Sequence, residues 1–212
     1  VFDELFAHFL LSSKIRTKIK KIKKSQKIFK DCKEELIQDL NFKLTNDQEA
    51  AIKIINEDLK SKSRMFRLLQ GDVGSGKTIV SMIAAVNCIN AGYQTSFMVP
   101  TEILAKQHFS FAKKYLPKNV KIEMLTGKSK YADRKKILEN LKLGKIDFLI
   151  GTHALFQKKV EYNKLGLIII DEQHKFGVRQ RKELSEKGGN NCDVLVMSAT
   201  PIPRTMMMTV YG

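Results

Sequence analysis

Gly71-Asp72-Val73-Gly74-Ser75-Gly76-Lys77-Thr78 decides the fold. An apolar stretch, Met65 to Gln70, runs into it, and a helix-patterned stretch, Lys77 to about Ala91, leaves it. Strand, glycine loop and helix in this order match G-x-x-x-x-G-K-[ST] at every required position. The glycines let main-chain N–H groups curl around phosphate oxygens, and the start of the helix adds its dipole. Lys77 is then placed to reach the β and γ phosphates, and the Thr78 hydroxyl to bind magnesium. A turn that only joined strand to helix would have no use for Lys-Thr at these two positions.

Downstream, the apolar run Leu167-Ile168-Ile169-Ile170 ends in Asp171-Glu172-Gln173-His174. A buried strand closing on two adjacent carboxylates sets them at the carboxyl edge of the sheet, where open α/β folds bind ligands. Asp171 is expected to hold magnesium, directly or through water, and Glu172 to orient or deprotonate the attacking water. An acidic cap on a following helix is the plainer alternative. The loop upstream weighs against it, because a bound triphosphate needs an acidic partner for its metal. ATP and Mg2+ are the cofactors this pair of segments calls for.

Around these two segments the pattern alternates. Helices are expected over Asn46 to Lys60, Lys77 to Ala91, Glu102 to Tyr115 and Tyr131 to Leu143. Strands are expected over Met65 to Gln70, Thr95 to Val99, Val120 to Leu125, Ile146 to Ile150, Leu167 to Ile170 and Val194 to Met197. Short strands without polar alternation, separated by helices, mark an α/β fold whose parallel sheet is covered by helices on both faces.

Residues 1 to about 40 differ in character. Leu11, Ile15, Ile19, Ile22, Gln26 and Phe29 recur at spacings of three and four with Lys between them, which predicts a basic amphipathic helix. Its Lys face reads as solvated surface or as a DNA contact. The chain has 212 residues, enough for one sizeable α/β domain plus an appendage. It opens on Val1 and stops at Gly212 just past a motif-like segment, so a piece of a longer polypeptide is expected.

The net charge is +16, which points towards a polyanionic partner. Of the 38 basic residues only seven are Arg, however, and the lysines are scattered as a biased composition would scatter them. Cys32, Cys88 and Cys192 are far apart, with no CxxC and no His pair at metal spacing. That argues against a structural metal or disulfide framework and for reduced thiols in a cytoplasmic setting. No apolar run approaches the roughly 18 residues of a membrane span.

Several further residues carry two readings each. Gln48 is either the far half of a capping box opened by Thr45 or an amide suited to bidentate recognition of an adenine edge. Thr101 after Pro100, Gly127 after Leu125-Thr126, and Thr152-His153 after the strand ending at Ile150 offer the donors used for phosphate contacts. Each also serves as a plain cap or turn. Ser198-Ala199-Thr200 leads into Pro201-Ile202-Pro203-Arg204-Thr205, either as a hydrogen-bonded turn or as a link from the Asp171-Glu172 site to whatever the domain grips.

In this order, LLQGDVGSGKT, VPTEILAKQHF, LTGK, GTHALFQ, IIDEQHKFGVRQR and SATPIPRT resemble the motor of superfamily 2 helicases, and within it the RecG family of bacterial ATP-dependent DNA helicases. The transcription-repair coupling family shares GTH, FGVR and ATPIPRT. It typically reads DEEH and carries phenylalanine at the position of Ser75, whereas Gln173 and Ser75 stand here. The primosomal helicases also tend to DEEH and lack the FGV-x-x-R extension. RecG sequences usually read Thr-Ala-Thr where Ser198-Ala199-Thr200 stands, so the hydroxyl is kept.

The resemblance implies a RecA-like ATP-binding lobe over 41–212, preceded over 1–40 by a helical linker from an absent wedge domain. The second lobe, with its arginine finger, would also be absent, so weak turnover is expected of this piece alone. The implied activity is ATP-driven remodelling of branched double-stranded DNA, at stalled forks and Holliday junctions, by a monomer in recombination and repair. On the same resemblance Gln48 reads adenine, Thr101, Gly127, Thr152 and His153 touch DNA, and His174, Ser198 and Thr200 pass the nucleotide state to those contacts. The rivals are a coupling-factor-like lobe, a P-loop phosphotransferase, or a lysine-driven nucleic-acid clamp without catalysis.

Overall fold

Strand residues that alternate between two apolar layers build the centre of the molecule. In the computed structural model, which describes residues 24–38, 43–171 and 189–199, Leu167 and Ile169 join one buried layer while Ile168 and Ile170 join the other. Both faces of the strand are therefore covered, and each such isoleucine contributes about 1.5–3 kcal/mol through burial. This is why the run shows no polar alternation.

The described elements are α1 (Lys33–Gln38), α2 (Asn46–Lys60), β1 (Phe66–Gln70), α3 (Lys77–Asn90), β2 (Gln94–Met98), α4 (Glu102–Tyr115), β3 (Ile122–Leu125), α5 (Tyr131–Lys142), β4 (Phe148–Gly151), β5 (Leu165–Asp171) and β6 (Asp193–Ser198). The strands form one parallel sheet in the order β1-β6-β5-β2-β4-β3. One buried layer lies under α2, α3 and α4, the other under α5 and the 3-10 turn His153–Phe156. α3 is buried continuously from Ile79 to Cys88, as a helix between sheet and outer helices must be.

The expected α/β fold with a parallel sheet is the one found. Helices α2 and α4 keep their expected bounds. Thr45 and Thr101 cap them, each side-chain hydroxyl accepting from a main-chain N–H of the first turn, Gln48 N–H and Leu104 N–H. β5 begins earlier than expected, at Leu165, because Gly166 belongs to it. A Cβ there would lie 2.5 Å from the Tyr93 side chain, so the residue that breaks the apolar run is a close approach inside the strand.

The N-terminal segment departs from expectation. Residues 24–32 carry no regular secondary structure, so Gln26 and Phe29 are not on a helix; residues 1–23 lie outside the described part. The main chain spends its hydrogen bonds on the lobe instead. Lys24 N–H donates to the Lys62 carbonyl and Lys27 N–H to that of Leu59. Lys24 and Lys27 do not form a solvated face: both ammonium groups are buried against Asp193 Oδ2, at 2.5 and 2.7 Å. Burial, reinforced by the charge of Lys27, pushes the Lys24 ammonium below its usual range despite the pull of Asp193. Phe29, Cys32 and Leu36 complete the strap by joining the layer under α2 and α3.

Candidate nucleotide and nucleic-acid site

The glycine loop adopts the shape its sequence requires. Gly74 and Gly76 have φ of +83° and +81°, the left-handed region in which a side chain is strained. Gly76 is also the N-cap of α3, with no side-chain cap and no acidic residue in the first turn. The first N–H groups of a buried helix are thus left facing the loop, which favours an anion. Lys77 Nζ donates to the carbonyls of Gly71 and Asp72 at 2.6 and 2.8 Å, so its ammonium lies across the mouth of the same loop. Asp72, Val73, Gly74 and Ser75 are exposed, while Gly71, Gly76, Lys77 and Thr78 are half-buried.

Gln48 fills its plainer role through both bonds of the capping box and adds a third contact. Its Oε1 accepts the Thr45 N–H at 3.0 Å while Thr45 Oγ1 accepts the Gln48 N–H at 3.3 Å, which closes the capping box. Its Nε2 also donates to the Ser75 carbonyl at 2.8 Å. A Cβ on Gly76 would come within 2.3 Å of that nitrogen. The start of α2 is therefore fastened to the loop, and the amide retains one N–H and one lone pair for another partner.

Asp171 ends β5 at 8% exposure. The register pairs Asp171 with Met197 and Gln70 with Ser198, so β6 alone separates the loop from this carboxylate, a gap of two strand spacings or roughly 10 Å. The Gly71 N–H donates to the Ser198 carbonyl at 3.3 Å, which ties the loop to the end of β6. Glu172, Gln173, His174 and Thr200 lie outside the described residues. The oxygen donors within this arrangement, a carboxylate and the Thr78 hydroxyl, suit a hard divalent cation such as magnesium, and the amide-lined loop suits a polyphosphate.

The remaining candidates stand along the other half of the same sheet edge. Thr101 follows β2, Gly127 follows β3, and Thr152 and His153 follow β4; these strands are neighbours in the order β2-β4-β3. Thr101, Gly127 and His153 are exposed. Thr152 is not: it is 2% exposed, and its hydroxyl has no hydrogen-bond partner among the described residues. At this turn His153 is the side chain within reach of an outside ligand. Glu102 joins two of the loops, accepting the Lys128 N–H at 3.2 Å and pairing with its ammonium at 3.4 Å.

One residue outside the expected site candidates sits between the two halves. His108 is buried on the inner stripe of α4 with Ala105 and Ala112, and its Nε2 lies 3.4 Å from Asp171 Oδ2. A polar residue on the apolar stripe of a helix was the available signal.

A family model described as DEAD/DEAH box helicase matches residues 45–209. The chain is 55% identical over 173 residues to the ATP-dependent DNA helicase RecG of Streptococcus pneumoniae, covering 82% of this chain and 26% of that protein. RecG of Aquifex aeolicus is 49% identical over 216 residues, covering 100% of this chain and 27% of its own length. Among solved structures, RecG bound to a three-way DNA junction superposes with a TM-score of 0.86 at 44% identity, over 100% of this chain and 28% of that one. The Mycobacterium smegmatis helicase Lhr, bound to single-stranded DNA and AMP-PNP, has a TM-score of 0.67 at 18% identity, over 82% of this chain and 25% of its own; that likeness concerns the fold alone. The chain spans about a quarter of the length of the RecG proteins it matches.

Proposed function

Since the chain belongs to the DEAD/DEAH box helicase family and within it to RecG, we propose that it is the ATP-binding lobe of an ATP-dependent motor that remodels branched double-stranded DNA. The observation that carries this reading is the division of one sheet edge. Strands β1, β6 and β5 present the glycine loop, Ser198 and Asp171; strands β2, β4 and β3 present Thr101, His153 and Gly127. A nucleotide site and a row of exposed loop donors share one rigid sheet.

In this reading the main-chain N–H groups of 71–78 and the Lys77 ammonium hold the β and γ phosphates, and Gln48 offers its amide to adenine. Thr78 and Asp171 hold Mg2+, which when bound neutralises charge on the phosphate oxygens. Glu172 orients the attacking water and accepts its proton. Ser198, fastened to Gly71, registers the occupied loop, and His174 and Thr200 take the role of passing that state to the DNA contacts. Thr101, Gly127 and His153 contact DNA phosphates, and buried Thr152 shapes the turn that carries His153. The reduced thiols fit a cytoplasmic location, and no described helix is long and apolar enough to cross a membrane.

The test is ATP hydrolysis by the intact protein with and without a three-way DNA junction. Junction DNA should raise the rate, and Glu172→Gln should abolish hydrolysis while retaining nucleotide binding. Hydrolysis indifferent to any DNA would overturn the motor, and full turnover in Glu172→Gln would overturn the role of that carboxylate. The lobe on its own should turn over weakly, because an arginine finger from a partner lobe supplies about 10³ to 10⁵ in rate in other NTPases.

A further inference from the structure

We propose that His108 is a positioning residue for the magnesium-binding carboxylate of Asp171, an inference that rests on reading Asp171 as the metal ligand. Among the described residues His108 carries the one basic group within ion-pair reach of Asp171. The two side chains are 11% and 12% exposed, so water screens the contact little.

Strand pairing holds the main chain of Asp171, since β5 lies between β2 and β6. It does not hold the carboxylate, which still turns about two side-chain bonds. An imidazole facing Oδ2 restricts that rotation and leaves Oδ1 for a cation. The imidazole is itself held: its ring centroid lies 4.7 Å from that of Phe97, tilted by 47°, and Phe97 is fully buried in β2. Closed to hydrogen-bond length, such a contact would set metal affinity as the partners of ligating carboxylates do.

The separation of 3.4 Å exceeds a charge-assisted hydrogen bond of about 2.7–2.9 Å. A small side-chain rotation makes or breaks the contact without moving either main chain. The helix that carries His108 is capped by Thr101, roughly 10 Å away along its axis. One rigid element therefore holds both a candidate DNA-facing cap and the neighbour of the metal carboxylate.

The test uses the intact protein with a non-hydrolysable ATP analogue and Mn2+ as the probe, bound metal being read by electron paramagnetic resonance. His108→Phe keeps a ring on Phe97 and removes the nitrogen, and His108→Leu replaces it should near-ultraviolet circular dichroism show the first variant unfolded. The Mn2+ concentration at half-saturation should rise about 10-fold to 100-fold, with analogue binding in the presence of EDTA unchanged. His108→Gln, which restores an N–H donor, should recover most of the loss. Unchanged Mn2+ binding in the donorless variant, while Asp171→Asn weakens it, would overturn the role of His108 alone. An equal loss in His108→Gln would also overturn it, since packing would then be the cause. If Asp171→Asn left Mn2+ binding intact, the ligand reading and the positioning role would fall together.

Discussion

The side-chain nitrogen of Gln48 donates to the main-chain carbonyl of Ser75 at 2.8 Å, while the oxygen of the same amide accepts the Thr45 N–H at 3.0 Å. Glutamate at position 48 would keep the acceptor and lose the donor. Gln48→Glu should therefore leave the α2 cap intact, with stability changed by less than about 1 kcal/mol. Nucleotide affinity should fall by about 10-fold or more, equal to the roughly 1.4 kcal/mol of one lost hydrogen bond. Thermal melts and fluorescent-nucleotide titration separate the two effects. An unchanged melting temperature with undiminished affinity would show that the residue serves only the cap.

Gly76→Ala tests the loop from the other side. The left-handed conformation alone costs a residue with a side chain about 1–2 kcal/mol, and the new methyl would meet Gln48 Nε2 at 2.3 Å. Nucleotide binding should be lost and urea unfolding should shift to lower concentration. Gly74 has open space around its missing Cβ, so Gly74→Ala should carry only the conformational part, and a Gly74 variant as damaged as the Gly76 one would contradict this account.

Asp193 is the sole carboxylate facing Lys24 and Lys27 among the described residues. Asp193→Asn retains an acceptor for the Met65 N–H, which Asp193 Oδ1 now takes at 2.7 Å, but leaves two buried ammonium groups without a counter-charge. The expected loss is about 3–5 kcal/mol in urea unfolding. Replacing both lysines by Met in the same variant should return most of it. No recovery would show that the carboxylate matters through Met65 instead.

Stability should fall in alkali, and the cause can be isolated. Burial raises the Cys88 thiol from an ordinary 9.0 to about 11, so the folded state keeps a proton that the unfolded chain releases above pH 9. The contribution is complete below pH 9 and is lost progressively up to about pH 11, at about 1.4 kcal/mol per pH unit. The buried Cys192 thiol shifts the same way. The lowered Lys24 ammonium works oppositely, adding stability as pH rises towards its ordinary 10.5. The stability difference between the unmodified protein and Cys88→Ala should shrink between pH 9 and 11 in urea unfolding. A constant difference would rule out the thiol.

How far the fold was legible depended on how local its causes are. Helices α2 and α4 begin where expected because Thr45 and Thr101 cap their N-termini through bonds three residues away. β4 begins at Phe148 instead of Ile146, since its pairing is set by the partners Thr95 and Ile122, which no periodicity reveals. The strap was misread because Lys24 and Lys27 find Asp193 at sequence separations of 169 and 166. Lysines between apolar residues look solvated until that partner is known. The glycine loop and Asp171 were legible from spacing. His108 was not, because its significance lies in a distance to another element, and buried Thr152 could not be told from its exposed neighbour His153.

Among the described residues β1, which delivers the glycine loop, has β6 as its single partner in the sheet. The first sheet strand in the chain thus waits for the last one described. On a ribosome, residues 66–70 would have no strand to pair with until residues 193–198 had left the exit tunnel, although β2 and β4 could already have joined. The phosphate loop would be the last part of the sheet edge to acquire its support. A nascent chain halted before β6 should then carry a soft, protease-sensitive loop beside an already ordered core.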